Sequence, residues 1–456
     1  GACCTRESGP PAVLSVLVAS HEDIGENAIY QGLVRACTAS WTEPCRRRVS
    51  SGELAWAFFS SPKQRFVLVS APECRAAIPE FVRGVAQADV LVLGIPAFVP
   101  ESRVDRWAVE RAAIARSQGV GSIILAVVVS DEEDSADGEG GFRDTFLQLE
   151  PRLQDCGIAG VVWLPVRVTV PAAWGTPPSP GRDAAIEMVS RLGHGGSELG
   201  WWNSVGLLTE VLESVPDVPV WEGDQLPLRV LVLESCEEGA GEEGACAVSL
   251  VGRVLQGSVW EGAECFLRPG RRRLLVLSVR DPHSGRQGSR SHASAGDYVD
   301  LLVSPAPDCS AANRSADAPV VSRPRLFPGH QSAALWGASA EESQVWVVQL
   351  RVLELEGDDP PVVGAGFVGT LHFGSETIAA EIVNLIMANE IQTEVCHAFP
   401  EAALPNMLTQ CSVRFGRPVA LDTFESTAGQ LGRFVLCHAA RTVGVGKVVA
   451  VAAAPS

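Results

Sequence analysis

One short stretch near the start of the chain decides the fold: Val16-Leu17-Val18-Ala19-Ser20-His21-Glu22-Asp23-Ile24-Gly25-Glu26-Asn27-Ala28. It contains an apolar run, a turn with a glycine, and the beginning of a helical pattern. This order is typical of a loop that binds phosphate groups between a strand and a helix. Such a loop carries a lysine directly after its last glycine, and this chain carries Glu26 there. The stretch therefore raises the question of whether it is a nucleotide site or the remains of one.

The first half of the chain alternates apolar runs of strand length with helical patterns. The runs cover residues 13–19, 65–69, 90–95, 122–129 and 160–164, and the helical segments include 78–88 and 104–118. This alternation is typical of parallel strands joined by crossover helices, in which ligands bind beyond the carboxyl ends of the strands. The acidic or glycine-rich segments 131–141 and 176–196 are expected to be exposed loops.

After about residue 215 the pattern changes to short strands separated by Gly, Pro and Asp turns, which is typical of small barrels. The predicted fold is an α/β domain with a doubly wound, mostly parallel sheet, followed by two all-β barrel domains. The predicted domain boundaries are 1–217, 226–322 and 340–456.

The composition favours a globular protein that binds other proteins. The formal net charge is −18, and 46% of the residues are hydrophobic. Because phosphate contacts need clustered Lys and Arg, we expect no direct binding to naked nucleic acid. No apolar run reaches the roughly 18–20 residues of a membrane span, and thirteen cysteines without a C-x-x-C pair fit a reducing compartment. A cytoplasmic location is expected, and an organellar one stays open because the first residue is not Met.

Segments spread along the chain resemble the translational GTPases, in particular the branch of elongation factor 1 alpha, the release-factor GTPase and the ribosome-rescue GTPase. The resembling segments are 84–90, 119–125, 201–208, 251–262 and 421–448. The closing Gly446-Lys447 is similar to the release-factor and rescue members. The resemblance implies a domain that holds GTP and Mg²⁺, and two barrels that carry a decoding partner to the ribosome.

The first phosphate motif of this family, G-H-V-D-x-G-K-S-T, is kept in part. The matching residues are His21, Asp23 and Gly25. The substituted positions, where the first glycine, the lysine and two hydroxyls belong, are Ser20, Glu26, Asn27 and Ala28. A carboxylate about 4 Å from a phosphate costs on the order of 4 kcal/mol at an effective dielectric of 20, so Glu26 turns an attraction into a repulsion.

The other nucleotide motifs are substituted as well. The motif D-A-P-G-H falls on residues 70–74, where Ser70, Glu73 and Cys74 replace the aspartate, the glycine and the histidine that orients water. The guanine-reading motif N-K-x-D falls on residues 128–131, with Val128 and Val129 in place of the polar pair. Its Asp131 is kept, and the last base-contacting motif falls near Arg167.

Two interpretations of the kept residues stay open. They are a vestige of the site, or they serve the turn (Gly25), a helix cap (Asp23) and an acidic loop (Asp131). We hypothesise a GTPase-like translation factor homologue that has lost hydrolysis, needs no cofactor, and binds a protein partner. That partner is a release-factor-like decoding protein, or an RNA-decay or ribosomal complex. The alternatives are a divergent active GTPase with GTP and Mg²⁺, or a structural subunit of a large assembly.

Overall fold

The computed structural model describes most of the chain, with gaps. The described residues are 13–24, 28–40, 46–48, 54–61, 64–72, 77–97, 103–129, 135–167, 211–212, 215, 226–238, 247–268, 272–306, 333–337, 342–354, 361–374, 376–393, 395–405, 407–427, 429 and 431–452. The predicted loop 176–196 lies outside them.

The first domain contains a seven-stranded sheet with four helices. The strands are β1 (Val13–Ser20), β2 (Arg46–Arg48), β3 (Ala55–Ser60), β4 (Arg65–Ser70), β5 (Val90–Pro96), β6 (Ser122–Val129) and β7 (Val162–Arg167). The helices are α1 (Ala28–Ser40), α2 (Ile78–Val85), α3 (Arg103–Gln118) and α4 (Ser135–Asp155). The strand order is β2-β3-β4-β1-β5-β6-β7, and every pair from β4 to β7 is parallel.

The sheet reverses its winding at β1, which lies between β4 and β5. In open sheets of this kind the crevice beyond the carboxyl ends at the reversal is where ligands bind. The central strands are buried along their whole length, and Val16, Val18, Phe66, Leu68 and Val92 belong to one core. Burial on both faces explains why these strands read as continuous apolar runs.

The structure corrects the sequence-based expectations in three places. The segment 131–141 was expected to be a loop, but α4 begins at Ser135 and extends through it. This helix buries Leu149 and Leu153, so packing along the helix outweighs the glycines at its start. The antiparallel strand β3 was not predicted, and β7 begins two residues later than the predicted 160–164 run.

The rest of the chain forms two closed six-stranded barrels, as predicted. The middle barrel contains β8 (Arg229–Glu238), β9 (Ala247–Gln256), β11 (Glu264–Arg268), β12 (Arg272–Arg280), β15 (Tyr298–Pro305) and β16 (Ala333–Trp336), with short strands β10 (Ser258–Trp260), β13 (Ser289–Arg290) and β14 (His292–Ser294). The C-terminal barrel contains β17 (Glu342–Val352), β19 (Val368–His372), β20 (Thr377–Glu390), β23 (Met407–Ala420), β24 (Arg433–His438) and β25 (Arg441–Val451), with short strands β18 (Val363–Gly364), β21 (Cys396–Ala398) and β22 (Ala402–Ala403).

The chain divides into two compact units, one with the first domain and the C-terminal barrel, the other with the middle barrel. Each sheet has its own apolar core. The boundaries 1–217, 226–322 and 340–456 remain predictions. Among the described residues, no helix is both long enough and apolar enough to cross a membrane.

Inside the first unit, the C-terminal barrel packs against the end of α3. Gly119 closes this helix in a left-handed conformation (φ +97°), and the next amide, of Val120, donates to the carbonyl of Ala115 over 3.1 Å. This is the Schellman arrangement. The guanidinium of Arg433 donates to the Ser117 carbonyl at the same helix end. A cation is favourable there because the helix dipole is negative at its carboxyl end.

The end of α4 repeats this arrangement. Gly157 is left-handed (φ +77°), and the amide of Ile158 donates to the Leu153 carbonyl over 2.8 Å. A Cβ placed on Gly157 would lie 3.9 Å from Nη1 of Arg351, which belongs to the C-terminal barrel. Two helix ends of the first domain are therefore each faced by one arginine of this barrel.

Candidate functional site

The predicted phosphate loop begins at the carboxyl end of β1. Ser20 and His21 are buried, and the His21 amide donates to the Gly94 carbonyl of β5 over 2.9 Å. The chain then makes a short 3₁₀ turn over Glu22–Ile24, closed by the Ile24 amide on the His21 carbonyl at 3.0 Å. The start of the predicted loop is therefore fixed to the neighbouring strand.

His21 is held by its own turn and by α3. Its Nδ1 accepts the Asp23 amide over 3.3 Å, and its ring meets Trp107 edge-to-face at 5.5 Å between centroids. Burial lowers the pKa of His21, and the carboxylates of Asp23 and Glu22 oppose that effect. The ring is therefore neutral at pH 7, and its contact with the exposed Asp23 carboxylate at 3.3 Å is not an ion pair between full charges.

Ile24, at the variable position of the motif, turns inward. It is 6% exposed and belongs to the core of the first domain, together with Ile29 of α1. A Cβ on Gly94 would lie 2.7 Å from Ile29 Cγ1 and 3.3 Å from both Ile24 Cδ1 and Ser20 Oγ. Only glycine allows this approach, so the backbone of β5 is packed tightly beneath the start of the loop.

The second phosphate motif begins on the other side of β1. Ser70 ends β4, is 2% exposed, and lies opposite Val18 in the parallel register. The next amide, of Ala71, donates to the Val18 carbonyl over 3.0 Å. The structure therefore brings Ser70 to the same edge of the sheet as Ser20.

The guanine-reading positions lie at this edge too. Val128 is half-buried near the end of β6, and its carbonyl accepts the Ala97 amide over 2.9 Å. Val129 is buried and lies opposite Arg167 of β7. The backbone register thus places these two sequence positions side by side.

The remaining predicted residues divide in two groups. Ala28 begins α1 and is half-buried. Those outside the described residues are Gly25, Glu26, Asn27, Glu73, Cys74 and Asp131, together with the side chain of Arg167.

Sequence reasoning missed the charged residues that α3 buries. Arg111 is 1% exposed, and its guanidinium lies 4.7 Å from the centroid of Phe81 in α2. Glu110 beside it is 4% exposed. The helical spacing of the apolar residues predicted α3, but no signal in that pattern marks which of its charges face inward.

The parallel-sheet domain followed by two closed barrels matches the fold of solved translational GTPases. Residues 339–452, which include the C-terminal barrel, match the family described as the elongation factor Tu C-terminal domain.

The whole chain is a homologue of release-factor GTP-binding subunits and of elongation factor 1-alpha. It is 22% identical over 426 residues to the eukaryotic peptide chain release factor GTP-binding subunit of Dictyostelium discoideum, covering 92% of this chain and 68% of that protein. It is 23% identical over 407 residues to elongation factor 1-alpha of Thermoplasma volcanium, covering 89% and 83%. It spans only 54% of the release factor subunit of Zygosaccharomyces rouxii.

Solved structures share the fold. Elongation factor SelB from Methanococcus maripaludis, in complex with the GTP analogue GppNHp, superposes with a TM-score of 0.63 at 14% identity, over 98% of this chain and 80% of SelB. The Saccharomyces cerevisiae Ski7 GTPase-like domain, bound to GTP, has a TM-score of 0.64 at 10% identity, over 96% and 97%.

Proposed function

We propose that this chain is a translational GTPase homologue that has lost GTP hydrolysis and works by binding a protein partner. The observation that carries the proposal is the convergence of the substituted positions. Ser20 and Ala28 come from the first phosphate motif, Ser70 from the second and Val128 from the guanine-reading motif, and all lie at or beside the carboxyl edge of one sheet. The losses therefore fall on a single site rather than being scattered over the fold.

The chemistry of these side chains does not suit a triphosphate with Mg²⁺. The described substitutions offer neutral or apolar groups, and Ala28 replaces a hydroxyl without any metal ligand. In the sequence, Glu26 and Glu73 add two negative charges where the family has a cation and a glycine. Since micromolar affinity corresponds to about 8 kcal/mol, repulsions of about 4 kcal/mol each are enough to abolish it.

The proposed role is binding, on or near the ribosome. The homologues are translation factors, and the release-factor subunits among them support a decoding protein or a ribosomal or RNA-decay complex as the partner. The net charge of −18 favours a protein surface over naked RNA. We propose a cytoplasmic location on the same grounds.

A second candidate is a protein that holds GTP without hydrolysing it. The observation in its favour is the Ski7 GTPase-like domain, which shares this fold and is described as bound to GTP. Here the kept His21, Asp23, Gly25 and Asp131 would contact the nucleotide without a water-orienting histidine at Cys74.

Single-turnover hydrolysis of radiolabelled GTP, with and without ribosomes, tests the loss of activity. We expect no release of phosphate above the ribosome background in either condition, while an active translational GTPase in the same assay gives ribosome-stimulated release. Ribosome-stimulated release of phosphate by this chain would overturn the proposal. The double variant Glu73→Gly/Cys74→His restores the family's residues in the second phosphate motif, and phosphate release by this variant shows whether GTP hydrolysis returns where GTP is bound.

A further inference from the structure

The charges of the C-terminal barrel are segregated along the sequence. Residues 352–413 contain nine Asp and Glu residues and no Lys or Arg. These residues form most of β18 to β23. The barrel's Lys and Arg residues lie outside this stretch of sequence: Arg414, directly after it, is 3.7 Å from Glu381, and Arg351 and Arg433 face the helix ends of the first domain. Five of the nine are among the described residues and none of these five is buried, so they place acidic groups at the surface: Glu354, Glu376, Glu381, Glu390 and Glu401.

The same segment also exposes large apolar side chains. Among the described residues, Val362 is 79% exposed and Phe399 75%, and Ile391, Val395 and Leu404 are each close to half exposed. We call the surface formed by these five apolar residues of the acidic segment the acidic apolar surface. Single exposed apolar residues are ordinary, but a group of them on one short part of a fold marks an interaction site.

Strand pairing shows that these residues are neighbours. β18 pairs with β22 so that Val363 lies opposite Ala403, which sets Val362 across from Leu404. β21 pairs with the end of β20, and the Phe399 amide donates to a carbonyl of β20 over 3.0 Å. Both short pairings lie against β20. The five residues thus form two neighbouring sets along β20: Val362 with Leu404 at β18 and β22, and Phe399 with Ile391 and Val395 at β21.

Phe399 is the most informative of the five. Its φ is +49°, in the left-handed region that is unfavourable for a bulky side chain. An aromatic ring at such a position, three-quarters exposed, gains stability neither from its backbone nor from burial. An outlier of this kind is a reason to infer a function for the side chain.

The polar surroundings indicate what would bind here. Glu401 is exposed, and the half-exposed His397 is 3.1 Å from Glu390, so this histidine already has an acidic partner. Among the described residues, β21 is hydrogen-bonded to β20 alone, which leaves its other edge for an added strand.

We propose that the acidic apolar surface binds an extended, basic segment of a protein partner, whose apolar side chains cover Phe399 and whose backbone pairs with β21. This inference rests on the proposed binding function and names the chemistry of the partner. An RNA would meet the same carboxylates with its own negative charge, and so would a second copy of this chain at its equally acidic surface.

Fluorescence anisotropy of labelled synthetic peptides with the full chain tests the proposal. The probes are peptides of about twelve residues in which Lys and Val, Lys and Ser, or Glu and Val alternate, and a single-stranded RNA of similar length. The variant Phe399→Asn removes the ring, and asparagine suits a left-handed backbone, so this variant folds. The control is Val368→Asn, which changes an apolar residue of β19 that is 58% exposed and lies opposite Glu381, away from β21.

We expect the Lys/Val peptide to bind at least about tenfold more tightly than the other probes, with an affinity that falls as salt rises. Phe399→Asn should weaken that binding about tenfold or more, and Val368→Asn should leave it within about twofold. Equal affinity for all peptides, no binding, preference for RNA, or a concentration-dependent dimer that Phe399→Asn abolishes would each overturn the inference. GTP titration of the same samples is a separate readout, so failure here is distinguishable from failure of the proposed function.

Discussion

The amino and carboxyl edges of the first domain's sheet differ in the side chains that they carry. At the amino edge, where α3 and α4 end, the chain has two left-handed glycines, and an arginine of the C-terminal barrel faces each of them. At the carboxyl edge, the backbone places the motif positions near one another, but their side chains differ from those of the family. Ser20 stands where the family has glycine, Ala28 where it has a hydroxyl, Ser70 where it has aspartate and Val128 where it has asparagine.

This difference distinguishes residues that stabilise the fold from residues at the positions of the nucleotide site. The amino edge joins the first domain to the C-terminal barrel, so its residues contribute to stability. At the carboxyl edge, stability comes from backbone hydrogen bonds such as that from His21 to Gly94 and from the packing of residues such as Ile24 beneath it. A chain that no longer uses nucleotide can change side chains at the carboxyl edge without unfolding. Changes at the amino edge weaken the contact between the first domain and the C-terminal barrel. Four predictions follow from this contrast, beginning with the largest effect.

Arg433→Met should lower the free energy of unfolding by about 2–3 kcal/mol, because it leaves the Ser117 carbonyl without its charged donor in a largely buried interface. Urea unfolding measures this. The control is Arg414→Met, whose half-exposed pair with Glu381 spans 3.7 Å and should contribute less than about 1 kcal/mol. Equal losses in the two variants would contradict the special role of the amino edge.

Glu26→Lys should raise the affinity for GTP about 100-fold, or ~2.7 kcal/mol, because it removes a repulsion and restores an attraction. Calorimetric titration with Mg²⁺ measures this. Glu22→Lys makes the same change of charge on an exposed residue of the same turn and should alter the affinity only a few-fold. If the two variants gain equally, the effect is one of net charge and not of the motif position.

Gly119→Ala should lower stability by about 2 kcal/mol, through the strain of a left-handed alanine and a contact 3.2 Å from the Arg433 guanidinium. Gly160→Ala is the matched control, since Gly160 is also left-handed (φ +71°) but has open space around it. It should lose about 1 kcal/mol from strain alone. Thermal unfolding of both variants measures the difference, and identical losses would show that Arg433 does not crowd this position.

The smallest effect concerns pH at the carboxyl edge. Burial holds the pKa of His21 below 6.5. As the pH drops through about 6.5, His21 is therefore protonated in the unfolded chain before it is protonated in the folded chain, and the free energy of unfolding falls. His21→Gln should reduce this fall between about pH 7.5 and pH 5. His372, whose pKa burial lowers to about 4, adds the same slope to both proteins and cancels in the difference. A steeper fall in the variant would contradict a buried, neutral His21.

The sequence predicts the strands of the first domain well because they are buried on both faces. Ser122–Val129 has the predicted bounds, and the other central strands differ by a residue or so at their ends. Local patterns fail where tertiary packing decides, as in the helix that begins at Ser135 and contains glycines that predict a loop. The strand β3 was missed although Gly52 and Pro62 bound its apolar run on either side.

The candidate site was predictable to the level of residue types and their common edge. The motif positions came from the resemblance and stay predictions, and the parallel register places Ser20, Ser70 and Val128 at the same edge of the sheet. The inward turn of Ile24, the contact between His21 and Trp107, and the barrel arginines at the helix ends were not predictable, because each depends on a contact between segments far apart in the sequence.

The most direct test of the lost site is the nucleotide content of the purified protein, followed by calorimetric titration with GTP and GDP in the presence of Mg²⁺. The account predicts no nucleotide in the supernatant of the denatured protein and no binding heat up to about millimolar concentration. Co-purified GTP or GDP, or micromolar affinity for either, would contradict the interpretation of Glu26 and Glu73 and return the chain to the nucleotide-binding translation factors.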